Sequence, residues 1–195
     1  MRAAGQFSDN DMLKLLGLGD FVPCPLLVDW SKPQIFVTED DLWIHIADDW
    51  GYNLWHKGRY QVVEDLHKSI PGTPIFACSV GEADWSFDFA YYFSGKLQRR
   101  YVVEDPHYDK HRRVVVEDFG QPLPLEKELS ETGEEQDYVL SLAMGLGVKI
   151  NHHLGSVRCY TTSSQKILKN NALSKRARES STNFLRRLHV LPTSK

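Results

Sequence analysis

Cysteine is scarce in this sequence, and no cysteine pair has a metal-binding or redox spacing. Only three cysteines occur among 195 residues, Cys24, Cys78 and Cys159, and none belongs to a CxxC motif. An odd number without such spacing argues against the disulfide framework of small secreted proteins and against a cysteine-based zinc site. We therefore expect three reduced thiols with structural roles.

Long apolar runs and the common catalytic motifs are also missing. The chain contains no run of about 18 apolar residues, and its first twelve residues lack the basic region and apolar stretch of a signal peptide. These absences predict a cytoplasmic protein with no membrane span. No glycine-rich phosphate loop, GxSxG elbow or HExxH motif occurs. We accordingly expect a protein that is not an enzyme and that uses no cofactor and no small-molecule substrate.

What the chain does contain is enough apolar material for one core and an uneven distribution of charge. Apolar residues make up 42% and aromatic residues 11% of the 195 residues, which indicates a single globular domain. Residues 165–195 carry eight Lys/Arg and one acid, a charge of +7; because the whole chain is at −3, residues 1–164 carry −10. We expect an α+β domain over residues 1–164, followed by a basic tail over residues 165–195 that docks on its own body or on a partner.

Alternating apolar residues predict two antiparallel sets of strands. One set, over residues 34–55, forms a three-stranded meander with acidic turns, and the other runs from residue 74 to residue 117 with a hairpin at Ser94-Gly95. Residues 119–126 contain prolines at positions 122 and 124 and predict a rigid extended loop. The sequence therefore predicts a mostly antiparallel, twisted β-sheet of about six to eight strands.

Helical spacing appears in four places. Ser8 is a suitable N-cap for a short first helix, and residues 58–70 and 134–146 show the three-to-four-residue spacing of amphipathic helices. The same spacing returns in the basic tail at Phe184, Leu185 and Leu188. We expect the helices to pack on one face of the sheet and the basic C-terminal tail to be helical.

Two short motifs that contain turn-forming residues follow one another in the middle of the chain. An aromatic strand leads into Ser94-Gly95-Lys96-Leu97-Gln98-Arg99, and a later strand ends in Gly120-Gln-Pro-Leu-Pro-Leu-Glu126. The arrangement resembles the "strand, D/S-G-x-L-x-R, strand, G-x-P-L-P-x-E" pattern of small bacterial proteins that include immunity proteins of polymorphic and contact-dependent toxin systems. The resemblance covers residues 30–160 and omits the tail. It implies a cytoplasmic protein that binds a cognate toxin and blocks its active site, and it transfers no catalytic residue.

The histidines and cysteines do not form a recognisable catalytic or metal-binding set. His152 and His153 are adjacent, so on an extended chain they point to opposite faces and cannot readily share an ion. His107 and His111 lie in a segment that begins with proline and resembles a loop. Cys159 follows the cation Arg158, but no histidine is aligned with it as a base. We expect structural or solvated roles for all of them.

Acidic turns and aromatic residues are the features that favour a protein interface. Each acidic cluster in residues 39–49 suits a turn, yet together the clusters form an acidic rim that can steer a basic toxin cleft. Exposed tryptophans anchor interfaces because they bury a large area at low entropic cost, and we expect Trp43 and Trp50 to be exposed. The predicted partner-binding residues are Glu39, Asp40, Asp41, Trp43, Asp48, Asp49 and Trp50.

Two other functions remain open at this level. The carboxylates, with His152 or His153, suit a small cytoplasmic hydrolase if they converge in a pocket. The basic tail suits a nucleic-acid-associated regulator, although it has few aromatics and the acidic body repels phosphate, so nucleic acid is the less favoured partner. A cognate protein toxin is the partner that we expect.

Overall fold

The computed structural model describes residues 8–27, 32–40, 42–48, 54, 60–81, 86–107, 109–129, 135–149, 157–162 and 184–190. Nine strands and four α-helices occur in these ranges. The strands are β1 Phe21–Cys24, β2 Gln34–Glu39, β3 Ile44–Asp48, β4 Ile75–Gly81, β5 Phe87–Phe93, β6 Lys96–Glu104, β7 Val114–Gly120, β8 Arg158–Thr162 and β9 Phe184–Val190. The helices are α1 Asp9–Leu15, α2 Gln61–Ser69, α3 Pro124–Leu129 and α4 Glu135–Gly145.

The nine strands form one sheet in the order β1-β8-β2-β3-β9-β4-β5-β6-β7. All described strand pairs are antiparallel, and β1 and β7 are the two outer strands. The predicted α+β class with a mostly antiparallel sheet is confirmed. Strand β9 joins two groups of four strands, because it pairs with β3 on one side and with β4 on the other.

The helical spacing in the basic tail predicted a helix, and this prediction was wrong for Phe184–Val190. Residues Phe184–Val190 form strand β9, whereas the rest of the predicted helical tail, residues 165–183 and 191–195, lies outside the described residues. Over seven residues, periodicity alone separates a helix from a strand poorly. The segment is a strand because its backbone N–H and C=O groups pair with β3 on one edge and with β4 on the other.

Helices cover both faces of the sheet, which corrects the prediction that they pack on one face. The reason is visible in β4, where every residue from Ile75 to Ser79 is buried. Ile75 and Ala77 pack in the core formed with α1 and α2, and the alternate residues Phe76 and Cys78 pack in the core formed with α4. Since successive strand residues point to opposite faces, a continuously apolar strand needs cover on both.

Several local predictions are confirmed. The Ser8 hydroxyl accepts the N–H of Asp11 at 3.2 Å and caps α1, and α2 and α4 lie inside the segments with helical spacing. Ser94 and Gly95, with φ of 50° and 75°, form the tight turn between β5 and β6. The third strand of the predicted meander falls on residues of which only Leu54, a buried turn residue, is described.

Helix α3 replaces part of the predicted extended loop after β7. Strand β7 continues to Gly120, and Pro124 then occupies the first position of α3. Proline is well tolerated there because the first helical N–H groups have no intrahelical acceptor. The three residues between Gly120 and Pro124 belong to neither a strand nor a helix.

Candidate functional site

The turn between β2 and β3 holds the first of the predicted partner-binding residues. Asp40 Oδ1 accepts the N–H groups of Leu42 at 2.7 Å and Trp43 at 2.8 Å, and Asp40 Oδ2 lies 2.9 Å from His45 Nε2. Burial alone raises the pKa of Asp40, but these hydrogen bonds and the nearby His45 outweigh it and lower the pKa below its usual value. Asp40 therefore organises the turn.

Trp43 and Asp48 are buried, so the expectation that they contact a partner at the surface was wrong for both. The Trp43 side chain is 0% exposed and packs in the core on the α4 side of the sheet. Asp48 is also 0% exposed, and its Oδ2 accepts the N–H of Leu54 at 2.8 Å. Burial of a carboxylate is tolerated where it is hydrogen-bonded. Neither side chain is available to a protein that docks on this structure.

The rest of the predicted acidic rim contributes one described residue at the surface. Glu39 is exposed, and its carboxylate lies 3.6 Å from Arg158 Nη1. Asp41, Asp49 and Trp50 lie outside the described residues. Because Asp40 and Asp48 bond to the chain's own backbone, the acidic cluster in this part of the structure does not form a continuous surface.

The two motifs of the central segment meet in a buried ion pair. Arg99, the last residue of the first motif, donates from Nε and Nη2 to the carboxylate of Glu126, the last residue of the second, at 3.0 to 3.1 Å. Arg99 Nη1 also contacts Asp118 and donates to the carbonyl of Phe119 at 3.0 Å. Glu126 Oε1 accepts the N–H of Leu123 at 2.7 Å. The motifs thus encode a structural clamp between β6 and α3.

A second polar cluster lies on the opposite face, between β4, β5 and α2. Asp88 accepts the hydroxyls of Tyr60 and Ser79, both at 2.7 Å, and all three residues are buried. Arg100 donates to Glu64 at 2.9 Å and to the Tyr92 hydroxyl at 3.0 Å. Ser79 bonds directly to a carboxylate, with no histidine between them to act as its base. The cluster therefore ties α2 to the sheet.

The residues predicted for a small hydrolase lie only partly within the described chain. Among those residues, no group of three or more His, Cys, Asp or Glu side chains is arranged to hold a metal ion. His107 and His111 are exposed, and their backbone N–H groups donate to Asp105 and Asp109. His152 and His153 lie outside the described residues.

The most unusual surface is the outer strand β7, which the sequence did not indicate as a binding site. Val114, Val115, Val116 and Phe119 are 51%, 50%, 55% and 49% exposed. Of the described strands only β6 pairs with β7, so the backbone on its other side has no described strand partner. We call these four residues the β7 edge. The run of three valines was the available signal, but it indicates an outer strand only once the sheet order is known.

The opposite outer strand shows how a sheet edge is usually protected. Strand β1 has only four residues, one of them Pro23, which has no N–H to donate. Short length and proline are common means of preventing edge-to-edge association. Strand β7 has seven residues and no proline, and it therefore lacks both protections.

Among the described residues, no helix is long and apolar enough to cross a membrane. Comparison with known proteins found no match to a family model, to a curated protein or to a solved structure.

Proposed function

We propose that this chain is an immunity-type protein that binds a cognate bacterial toxin and blocks its active site, with the β7 edge as part of the contact surface. The observation that carries the proposal is the exposure of four large apolar side chains on an outer strand. Several large apolar side chains exposed on one strand are typical of an interaction site, and a seven-residue outer strand without proline offers its backbone to another strand.

The backbone of β7 suits the addition of a strand from the partner. A strand laid along Val114–Gly120 bonds to main-chain groups, while the side chains of the β7 edge give specificity. The two acids of β7 are already paired within the chain, Glu117 with Arg100 at 3.4 Å and Asp118 with Arg99. A partner that covers the strand therefore meets few uncompensated charges, which lowers the desolvation cost of binding.

The charged side chains near the β7 edge bond to one another within the chain, which favours a protein that binds its partner stoichiometrically. Arg99 of β6 bonds both to Glu126 of α3 and to Asp118 of β7. Their hydrogen-bonding groups point to chain partners, and they hold β7 and α3 in a fixed arrangement. A rigid surface loses less conformational entropy on binding than a flexible one does. The chain thus acts by occlusion, without turnover and without a cofactor.

The test uses the polypeptide encoded by the adjacent reading frame as the candidate toxin. Protection of cells that express it, and the dissociation constant of the purified complex, are measured for the wild type and for Val115→Asp. The matched control is Val22→Asp, because Val22 is a 47% exposed valine on the other outer strand. We expect Val115→Asp to weaken binding about tenfold or more and Val22→Asp to change it less than about twofold.

Absence of both a complex and protection with the wild-type chain would reject the toxin-binding function. A complex that forms equally well with Val115→Asp would retain the function and remove the β7 edge from the interface. Circular dichroism of both variants establishes that they are folded. Because both substitutions are at half-exposed positions, a loss of fold common to the two is not expected.

A further inference from the structure

Two of the three cysteines face each other across a strand pair. Cys24 of β1 and Cys159 of β8 are direct partners in the antiparallel register, although 135 positions separate them in the sequence. Their Sγ atoms are 3.0 Å apart, and both thiols are free in this structure. The sequence, with its odd cysteine count and no CxxC motif, did not indicate this pairing.

The backbone geometry at this position permits a disulfide. Directly opposed residues of antiparallel strands have Cα atoms about 4.5 to 5.5 Å apart, which lies within the range of about 4.4 to 6.8 Å seen across disulfides. Closing the bond requires the two sulfur atoms to approach to about 2.05 Å. Since the sulfurs are already in contact at 3.0 Å, side-chain rotation suffices and the strands need not move apart or shift register.

The surroundings make the two thiols unequal. Cys24 is half-buried on the outer strand β1, whereas Cys159 is buried on β8. Burial, followed by the contact with Cys24, raises the pKa of Cys159 to about 12. The side-chain amide of Gln34 donates to Cys159 Sγ at 3.4 Å and approaches Cys24 Sγ at 3.9 Å. The accessible thiol is therefore Cys24, with Cys159 directly behind it.

We propose that Cys24 and Cys159 are a reversible redox-modification site, oxidised to a cross-strand disulfide by a low-molecular-weight disulfide such as oxidised glutathione. The Cys24 thiolate attacks one sulfur of glutathione disulfide, forming a mixed disulfide and releasing one glutathione thiolate. Cys159 then attacks the Cys24 sulfur, forming the Cys24–Cys159 bond and releasing the second glutathione. Two protein thiols are oxidised, one glutathione disulfide is reduced to two thiols, and the two protein protons pass to the departing thiolates.

The bond has a clear structural consequence. Strand β1 is an outer strand of four residues, and β8 is its neighbour in the sheet. A short outer strand is the part of a sheet that opens most easily. The disulfide joins β1 covalently to β8 and closes a long segment of chain, and this constraint on the unfolded state stabilises the oxidised protein. The oxidised chain is thus more resistant to unfolding than the reduced chain.

The test equilibrates the full chain with defined ratios of oxidised to reduced glutathione. Peptide mapping by mass spectrometry then identifies the linked cysteines, and the midpoint of thermal unfolding is measured before and after reduction with a phosphine. We expect a Cys24–Cys159 link, formed in the folded protein and reversed on reduction. The oxidised form should unfold roughly 5 to 15 °C higher than the reduced form.

Three variants separate this site from non-specific oxidation. Cys24→Ser changes the half-buried member of the pair at the sheet edge and should abolish both the link and the rise in the midpoint. Cys159→Ser should also abolish the link. If this substitution of a buried residue prevents folding, Cys24→Ser still tests the proposal. Cys78→Ala, on the distant strand β4, should retain both effects.

Several results would overturn the proposal. One is a folded wild-type chain that carries only glutathione on Cys24 at every ratio. Another is a link that involves Cys78, or one that forms only after denaturation. A Cys24–Cys159 link that leaves the unfolding midpoint of the wild type unchanged would contradict the stabilising role.

Discussion

Arg99 and Glu126 close the two sequence motifs of the central segment, and their side chains form one buried ion pair with three short contacts. Each side chain is nearly inaccessible, with 3% and 6% exposed. A motif that ends in arginine and a motif that ends in glutamate are therefore two halves of the same structural clamp. The clamp holds α3 against β6, and Arg99 lies opposite Gly120 at the end of β7.

Breaking this clamp should cost a large part of the stability of the fold. Glu126→Gln keeps the size of the side chain and removes the charge that compensates Arg99, so the free energy of unfolding should fall by about 3 kcal/mol. Urea denaturation monitored by circular dichroism measures this loss. The matched control is Asp65→Asn, because Asp65 pairs with Lys68 at 3.9 Å on the exposed side of α2 and should change stability by less than about 0.5 kcal/mol. Equal effects of the two changes would contradict the clamp.

Gly120 should tolerate no side chain. Its φ is +83°, and a Cβ atom there would lie 2.0 Å from the carbonyl oxygen of Gln98 in the neighbouring strand. Gly72 has a φ of +90° but no atom within 4 Å of the same added Cβ. Gly72→Ala should therefore cost about 1 to 2 kcal/mol from backbone strain alone, and Gly120→Ala distinctly more. Denaturant midpoints compare them, and a smaller loss for Gly120→Ala would refute the close approach of β6 and β7.

Trp43 and Leu42 are neighbours with opposite environments, so they make a matched pair for testing burial. Trp43 is fully buried, whereas Leu42 is 49% exposed. Trp43→Ala should leave a cavity in the core between the sheet and α4 and lower the free energy of unfolding by about 3 to 5 kcal/mol. Leu42→Ala should lower it by about 0.5 kcal/mol or less. Thermal unfolding of the wild type and of the two variants measures these losses. A Trp43→Ala variant as stable as the wild type would show that Trp43 is exposed and would return it to the candidate partner-binding residues.

Tyr160 should make stability depend on pH in the alkaline range. Burial, and the hydrogen bond that its hydroxyl donates to Asp9, raise the pKa of Tyr160 from 10.0 to about 12. The fold therefore favours the protonated phenol. Its contribution is complete below pH 10 and is lost as the pH rises through 12, in total about 1 to 2 kcal/mol.

The measurement is the difference in unfolding free energy between the wild type and Tyr160→Phe at several pH values. The wild type should be the more stable protein at pH 8, and its advantage should shrink between pH 10 and 12. Because the other tyrosines are common to both proteins, the difference isolates Tyr160. A difference that stays constant over this range would show that Tyr160 has an ordinary pKa.

The β7 edge and the turn at Asp40 show why sequence patterns predict strands and turns better than they predict which side chains are exposed. The aspartates near residue 40 predicted a turn, and Asp40 does organise one through the N–H groups of Leu42 and Trp43. Exposure is a different property, because it depends on what packs above a residue. Trp43 lies under α4, while three consecutive valines of β7 remain uncovered, and no local pattern separates these cases.

The sequence by itself determined the local features of this protein. Its alternating and helical spacings located most strands and two helices, Ser8 capped α1, and Ser94-Gly95 made the hairpin, because each depends on the conformational preferences of a few adjacent residues. Only the tertiary structure brought Arg99 to Glu126 and Cys24 to Cys159, placed β9 between β3 and β4, and left β7 at the edge. Those outcomes depend on which distant segments pair, since contacts across the sheet and between its layers set the final arrangement.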